Sequence, residues 1–147
     1  MELPEVTLKA IGVVRSDIKE PTRQRHRDLA SEIVLDESLT ESLDNLDDFS
    51  HIIVVYWIHR SRNSKPVKVR PRGNPDRELM GVFSTRSPDR PNAIGVSTVR
   101  LIKRQENVLT VQGLDAIDAT PVLDIKPYLP GYDSVDDARA PSWTIKS

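Results

Sequence analysis

The stretch His51–Ile58 reads His-Ile-Ile-Val-Val-Tyr-Trp-Ile and is the strongest secondary-structure signal in the chain. An unbroken run of β-branched and aromatic residues predicts a strand that is buried on both faces. Outward from it, six other segments have the composition of short strands: Val6–Val14, Glu32–Leu35, Leu79–Phe83, Gly95–Ile102, Val108–Leu114 and Pro121–Ile125. The polar residues 104–107 predict a hairpin turn between two of them.

A single helical pattern interrupts these strands. Leucines and a phenylalanine recur at three- and four-residue steps across Leu39–Phe49, and Thr40 is the predicted N-cap. No long amphipathic helices alternate with the strands, which argues against a doubly wound sheet. Eleven prolines and six or seven short strands favour one compact domain, residues 1–147, built as a mainly β barrel or sandwich.

The composition argues against several kinds of chemistry. With no cysteine, the chain has no disulfide, no thiolate zinc site and no cysteine nucleophile. The three histidines, at 26, 51 and 59, lack the spacing of a metal site, so no metal is expected. The six glycines form no G-x-G-x-x-G or Walker-type loop, so a Rossmann nucleotide pocket is not expected. The longest apolar run is too short to span a bilayer and no signal peptide is visible, so a soluble, cytoplasmic protein is expected.

The charge is distributed unevenly along the chain. The whole sequence carries 21 Lys and Arg against 22 Asp and Glu, but residues 60–104 carry twelve basic residues and three acidic ones. Clustered like charges repel one another unless a partner neutralises them, so this segment favours an anionic partner. The alternative is an ordinary solvated surface whose charge is balanced by acids folded nearby.

The segment Gly81–Ser97 reads Gly-Val-Phe-Ser-Thr-Arg-Ser-Pro-Asp-Arg-Pro-Asn-Ala-Ile-Gly-Val-Ser. Pro88 and Pro91 fix their own φ angles and push the preceding residues into extended conformations. The polar groups of this segment are therefore expected to be held in place before a ligand binds. Arg86 and Arg90 can donate bidentate hydrogen bonds to a carboxylate or a phosphate. The alternative is a stiff surface loop whose arginines bond to its own carbonyls.

Gly81–Ser97 resembles the pattern G-V-F-A-T-R-S-x-x-R-P-N-P-I-G-x-S of the TrmO family of tRNA threonylcarbamoyladenosine methyltransferases, also described as TsaA-like or YaeB-like proteins. Asp115–Tyr128 resembles a second pattern of that family, D-x-x-D-G-T-P-V-x-D-I-K-P-Y. The resemblance runs from about residue 11 to residue 129. This chain departs from the family patterns at Ser84 for Ala, Ala93 for Pro and Ala119 for Gly. The last departure matters because glycine adopts backbone conformations that alanine disfavours.

The resemblance implies a small β-barrel of six to seven strands, closed or partly open, with one short helix. Such a barrel binds S-adenosylmethionine without a Rossmann fold. The resemblance further implies a homodimer that methylates the N6 nitrogen of threonylcarbamoyladenosine next to the anticodon of tRNA. Two alternatives stay open: a non-catalytic S-adenosylmethionine-binding protein that is RNA-associated or regulatory, and a methyltransferase that acts on small molecules.

The resemblance also implies functional positions. The implied cofactor-binding residues are Arg23, Gln24, His59, Arg60, Arg86, Asn92, Ile94, Ser97, Asp118, Ala119, Thr120 and Pro121. Within the basic segment, the residues expected to contact tRNA are Arg62, Lys68, Arg70, Arg72 and Arg90. The group that accepts the proton of the substrate nitrogen stays unassigned, with His59, Asp118, Asp124 and solvent as candidates. Asp124 and Lys126 share one face of a strand, so a structural ion pair explains that aspartate equally well.

Overall fold

The structure, a computed structural model, describes residues 1–22, 28–62 and 64–144. In this part of the chain the strands and the α-helix are β1 (Gly12–Arg15), β2 (Ala30–Leu35), β3 (His51–Trp57), β4 (Lys68–Val69), β5 (Met80–Gly81), β6 (Ile94–Gln105), β7 (Val108–Gln112), β8 (Pro121–Pro127) and α1 (Pro130–Asp133). Short 3-10 segments lie at Glu37–Leu43, Leu46–Asp48, Pro71–Gly73, Val82–Ser84 and Ser142–Thr144. No helix within the same ranges is long and apolar enough to cross a bilayer.

Six of the strands close into a barrel in the order β1-β2-β7-β6-β3-β8, and each neighbouring pair is antiparallel. The prediction of a mainly β, non-Rossmann fold is therefore confirmed, and of the two architectures the barrel is the one observed. β4 and β5 pair with each other in a separate two-stranded sheet. The predicted turn between β6 and β7 is also present, because Gln105 faces Val108 directly across it.

Residues that face the barrel interior form the hydrophobic core. In β3, Ile52, Val54 and Tyr56 are buried, whereas the residues between them are only partly covered and Trp57 is half exposed. The prediction that this strand is buried on both faces was wrong, because an antiparallel barrel strand packs one face inside and turns the other to solvent. Aliphatic residues of the other strands fill the rest of the interior: Val14, Ile33, Leu35, Val99, Leu101, Leu109, Val111 and Val122.

Two strand predictions differ from the structure, while the others agree with small shifts at their ends. The first strand begins at Gly12 rather than Val6, and residues 1–10 are exposed and outside any regular element. In place of Leu79–Phe83 there is the two-residue strand β5, followed by a 3-10 turn. Its partner β4 was not predicted, because a two-residue strand is too short to leave an alternation pattern in the sequence.

The predicted helix Leu39–Phe49 is replaced by two 3-10 segments that are separated by Asn45. Asn45 has a φ of 70°, in the left-handed region, and a right-handed helix cannot continue through such a residue. Asp36 caps the first segment, so the prediction of Thr40 as N-cap was also wrong. The leucines of this segment nevertheless contribute to packing, because Leu43 is buried in the barrel core.

The two ends of the barrel carry different segments. At the end that we call the upper end, β1, β3 and β7 finish, and β2, β6 and β8 begin. Three connections emerge there: residues 16–29 join β1 to β2, residues 58–93 join β3 to β6, and residues 113–120 join β7 to β8. The 3-10 segments within residues 37–48 lie at the opposite, lower end.

The pairing of β1 with β8 is the shortest seam of the barrel and includes Gly12 facing Val122. Ala119, just before β8, extends this seam, because its N–H donates a 2.8 Å hydrogen bond to the Val14 carbonyl. Ala119 has a φ of 68°, in the left-handed region, which costs a non-glycine residue about 1–2 kcal/mol. The seam is therefore strained at the position where the family pattern has glycine.

We expect Ala119→Gly to raise the free energy of unfolding by about 1 kcal/mol, because glycine adopts a positive φ without the steric cost of a Cβ. Urea-induced unfolding followed by circular dichroism measures the change. Ala30→Gly is the matched control: Ala30 is the first residue of β2 and has no positive φ, so the same substitution there should lower stability, by at most about 0.5–1 kcal/mol. A loss of stability in Ala119→Gly as large as in the control would show that position 119 is unstrained.

Candidate functional site

The upper end of the barrel gathers residues that are far apart in the sequence. The described cofactor-binding candidates all belong to its connections or to the first residues of the adjoining strands: His59, Arg60, Arg86, Asn92, Ile94, Ser97, Asp118, Ala119, Thr120 and Pro121. Arg23 and Gln24 belong to the connection between β1 and β2 but lie outside the described residues. The fold therefore gives the described candidates one common end of the barrel, although their side chains point in different directions.

Inside the upper end, a buried tyrosine hydroxyl joins two of these segments. Tyr56 is 6% exposed, and its hydroxyl donates a 2.9 Å hydrogen bond to the Asp115 carbonyl. Because that bond uses its single proton, the Ser97 hydroxyl donates the second bond, also of 2.9 Å. Burial raises the pKa of Tyr56, so the phenol stays protonated. The sequence alone indicates no functional role for Tyr56, because a tyrosine within an apolar run has the pattern of a core residue.

Two further candidates lie toward the outer face. Ile94 pairs with Trp57 across β6 and β3, and the two residues are 41% and 50% exposed. Ile94 and Ser97 are three residues apart in an extended strand, so their side chains point to opposite faces. The His59 ring lies 6.4 Å from the Trp57 ring, and its Nδ1 is buried without a hydrogen-bond partner among the described residues. Such a buried polar atom is costly to leave unpaired, so a water molecule or another polar group is expected to bind it.

The two arginines of the Gly81–Ser97 segment have different surroundings. Arg90 donates hydrogen bonds to the carbonyls of Thr85 and Ser87, at 3.0 and 3.2 Å, and lies over the Phe83 ring. It therefore stiffens the loop, in the manner of the alternative considered from the sequence. Arg86 is exposed and has no hydrogen bond or ion pair with any described residue. Its guanidinium is consequently available to an anion.

The carboxylate of Asp118 is already engaged by its neighbours. It accepts a 2.9 Å hydrogen bond from the Ser16 N–H and forms a 3.0 Å ion pair with Lys19. The Ser16 N–H and the Lys19 ammonium lower the pKa of Asp118, which makes it a weaker base. Arg60 reaches the same loop through a 3.0 Å ion pair with Glu20. No pattern in the sequence predicts these contacts, because they join residues from separate connections.

The remaining upper-end candidates differ in how open they are. Thr120 is 2% exposed, and its hydroxyl donates a 2.7 Å hydrogen bond to the Ile117 carbonyl. Pro121 is the first residue of β8 and is partly buried. Asn92 is exposed, and its side-chain amide has no bond to any residue that the structure describes. The surface offered to a ligand therefore comes from Asn92, Arg86 and the exposed Ala119 rather than from Thr120.

Asp124 forms a 2.8 Å ion pair with Lys126 and raises the pKa of that lysine. The two residues lie on one face of β8, so the ion pair expected from strand alternation is present. It gives Asp124 a structural explanation that needs no catalysis. Within residues 1–22, 28–62 and 64–144, no group of three or more His, Cys, Asp or Glu side chains could hold a metal ion.

The residues expected to contact tRNA lie on the 58–93 connection, which carries nine Lys or Arg and three Asp or Glu. Lys68 and Arg72 are exposed and have no ion pair with the described part of the chain. Arg62 forms a 3.6 Å ion pair, and Arg70 donates to a backbone carbonyl. The expected tRNA contacts that have no hydrogen bond or ion pair from their side chains to a described residue are therefore Lys68 and Arg72. Lys65, Arg77 and the cofactor candidate Arg86 on the same connection are free in the same sense.

A groove of about 410 Å³ lies at the lower end of the barrel, lined in part by Leu35, Leu43, Phe49 and Ile125. Of the candidate residues, only Asp124 lines it. The groove is therefore separate from the residues that the two sequence motifs bring together at the upper end.

The chain matches the family model described as "tRNA-methyltransferase O N-terminal domain" over residues 14–134. It is 41% identical over 133 residues to an S-adenosyl-L-methionine-binding protein of Archaeoglobus fulgidus. That alignment covers 88% of this chain and 94% of the archaeal protein. It is 44% identical over 102 residues to the human tRNA (adenine(37)-N6)-methyltransferase, which covers 68% of this chain and 23% of the human protein.

A crystal structure of TrmO from Pseudomonas aeruginosa has the same fold, with a TM-score of 0.81 at 32% identity. The match covers 98% of this chain and 64% of the bacterial one, so the chain spans less than two thirds of that structure. The resemblance drawn from the two motifs is therefore confirmed by a family model, by relatives and by a solved structure. Together these similarities show that the chain belongs to the tRNA-methyltransferase O (TrmO) family.

Proposed function

We propose that this protein, an S-adenosylmethionine-dependent tRNA methyltransferase of the TrmO family, methylates the N6 nitrogen of threonylcarbamoyladenosine next to the anticodon. Relatives named S-adenosyl-L-methionine-binding protein and tRNA (adenine(37)-N6)-methyltransferase support the donor and the N6 nitrogen of a tRNA adenine as the methyl acceptor. The observation that carries the proposal is the unpaired Arg86 guanidinium, in a loop that Arg90 stiffens. An open, basic barrel end suits a cofactor with a carboxylate and a large polyanionic substrate.

The groups at the upper end fit the parts of S-adenosylmethionine. The donor carries a carboxylate, an ammonium, a ribose and an adenine beside its sulfonium. We assign its carboxylate to Arg86, because a guanidinium can donate two parallel hydrogen bonds to a carboxylate. The free amide of Asn92 and the carbonyl of the exposed Ala119, which accepts no hydrogen bond from a described residue, offer polar contacts for the ribose and the adenine. Arg23 and Gln24 stay assigned to the cofactor from the family pattern.

The protein has to align the donor with the substrate nitrogen and to exclude water. S-Adenosylmethionine supplies a methyl group on a cationic sulfonium, which is transferred to nitrogen by in-line displacement. The substrate nitrogen lies between an adenine ring and a carbonyl, so its proton is more acidic than that of an ordinary amine. We propose His59 as the acceptor of that proton in preference to Asp118, whose carboxylate is bound by Ser16 and Lys19 and whose pKa is lowered.

We propose that the 58–93 connection binds tRNA phosphates. Lys68 and Arg72 present exposed charges without competing ion pairs within the described residues. Arg62, Arg70 and Arg90 add positive charge while part of their hydrogen-bonding capacity serves the connection itself. Binding of this kind weakens as salt concentration rises, because each contacted phosphate releases counterions. The tRNA substrate also leads us to propose a cytoplasmic location.

We propose that a second copy of the chain covers the outer face of β3 and β6. Trp57, Ile94 and Val96 form an apolar patch there and are 50%, 41% and 50% exposed. Contiguous exposed apolar surface favours association with another apolar surface. The patch adjoins His59 and Asn92, so a homodimer would add a wall beside candidates that are open in a single chain.

A non-catalytic role is the second candidate function. The names of several archaeal relatives describe S-adenosyl-L-methionine binding and no reaction. A protein of that kind would keep the Arg86 contact and the basic connection while transferring no methyl group. The measurement of methyl transfer given below separates the two functions.

Arg86→Ala should weaken binding of S-adenosylmethionine by about 1.5–3 kcal/mol, because a charge-assisted hydrogen bond to the carboxylate is lost. Isothermal titration calorimetry measures the dissociation constant. Arg139→Ala, which removes the same charge from the exposed C-terminal segment, is the matched control and should bind as the wild type does. Unchanged affinity in Arg86→Ala would show that another group holds the carboxylate.

Incubation with an isotope-labelled donor should place one labelled methyl group on threonylcarbamoyladenosine in tRNA that carries this nucleoside. Mass spectrometry of the digested nucleosides detects the product. Transcribed tRNA without the modification is the control and should stay unlabelled, because its adenosine carries no threonylcarbamoyl group on N6. Tight donor binding without any labelled nucleoside would contradict the proposed reaction and favour the non-catalytic function, and labelling of a small molecule instead would point to a different methyl acceptor.

Val96→Asp should convert the homodimer into a monomer, because a carboxylate buried in an apolar interface is costly. Size-exclusion chromatography with light scattering measures the mass. Ile102→Asp, at another exposed position of β6, is the control and should leave the mass unchanged. A wild-type protein that is monomeric at micromolar concentration would contradict the proposed dimer.

A further inference from the structure

We infer that Tyr56 is a positioning residue, whose hydroxyl holds the 113–120 connection in place against Ser97 and so shapes the cofactor site. The inference rests on the proposed function, because it concerns the same site. Both hydrogen bonds of the hydroxyl, each 2.9 Å long, end on residues of the upper end rather than on core side chains. Asp115 belongs to the 113–120 connection and Ser97 to β6, and the hydroxyl of this tyrosine is hydrogen-bonded to both.

Packing alone does not explain the hydroxyl. The ring fills the top layer of the barrel, and Gly95 opposite makes room for it, since a Cβ there would lie 2.5 Å from a ring carbon. A phenylalanine ring would occupy the same space. Burying a hydroxyl costs free energy unless it is hydrogen-bonded, so its presence in Tyr56 is accounted for by the two partners it joins.

On the side away from Tyr56, polar contacts connect the 113–120 connection to β1 and to the loop after β1. Asp118 binds the Ser16 N–H and Lys19, and the Ala119 N–H donates to Val14, so these bonds all lead to β1 and the loop after it. Tyr56 supplies the corresponding tie to β3 and β6. Apolar packing buries the connection near its start, but a hydrogen bond fixes direction as well as distance.

The hydroxyl is also influenced by the charge of the proposed carboxylate contact. The positive charge of Arg86 acts on Tyr56 and opposes the rise in pKa that burial causes, whereas the Asp115 carboxylate adds to it. Tyr56 therefore lies within electrostatic reach of Arg86 as well as in contact with Ser97. A shift of the tyrosine hydroxyl would be felt at both positions.

The test is Tyr56→Phe, which removes the hydroxyl and keeps the ring. We expect the dissociation constant for S-adenosylmethionine to rise about threefold to tenfold, as for one lost neutral hydrogen bond acting through position. We also expect faster amide hydrogen exchange across residues 115–120, measured by mass spectrometry without cofactor. Tyr128→Phe, which removes a hydroxyl at the lower end beside His51, is the matched control and should change neither quantity.

Ser97→Ala and the double variant, which carries both Tyr56→Phe and Ser97→Ala, complete a double-mutant cycle. If the tyrosine acts through Ser97, the effects of the two substitutions on donor affinity should not add. The double variant should then bind the donor about as tightly as the single variant with the lower affinity, because both substitutions remove the same contact. A folded Tyr56→Phe protein with wild-type donor affinity and wild-type exchange across residues 115–120 would overturn the inference and leave the proposed function standing. A lower melting temperature with unchanged affinity and exchange would likewise reduce Tyr56 to a structural role. A wild-type protein that does not bind the donor would overturn the proposed function itself.

Discussion

The structure depends on the two-sided pairing of β3, which forms antiparallel ladders with β6 along one edge and with β8 along the other. Its inward residues, Ile52, Val54 and Tyr56, fill the centre of the core. Because β3 holds both neighbours in register, the 58–93 and 113–120 connections emerge beside each other at the same end of the barrel. This alignment brings the two family motifs to the same end of the barrel.

At that end of the barrel, some polar residues are hydrogen-bonded within the protein, while others leave their polar groups free. Arg90 uses its hydrogen bonds within its own loop, while Arg86 keeps its guanidinium free. Asp118 uses its carboxylate to anchor a neighbouring loop, while the His59 ring leaves Nδ1 without a partner. Groups that are held in place before the ligand arrives lose little further entropy on binding. Arg90 and Asp118, which are bonded within the protein, thus hold in place the loops around the free groups of Arg86 and His59.

Much of the fold and part of the site could be predicted from local patterns. Alternation of β-branched residues marks strands, and the spacing within the Gly81–Ser97 segment identifies the family. The helix prediction failed because Leu39–Phe49 has helical spacing, yet Asn45 takes a left-handed conformation that divides it. The strand β4 escaped prediction because two residues are too few to show an alternation period. These errors arise where tertiary contacts outweigh a short local signal.

The sequence by itself determined that the chain is rich in strands, that it lacks thiol chemistry and a Rossmann phosphate loop, and that it is related to TrmO. Each of these properties follows from the residue types present or from residues that are close together in the chain. Only the tertiary structure decided that Tyr56 joins Ser97 to Asp115, that Arg86 rather than Arg90 is free, and that Asp118 is occupied. The physical reason is that hydrogen bonds and ion pairs act over a few ångströms in space, between residues whose separation along the chain carries no trace of their contact.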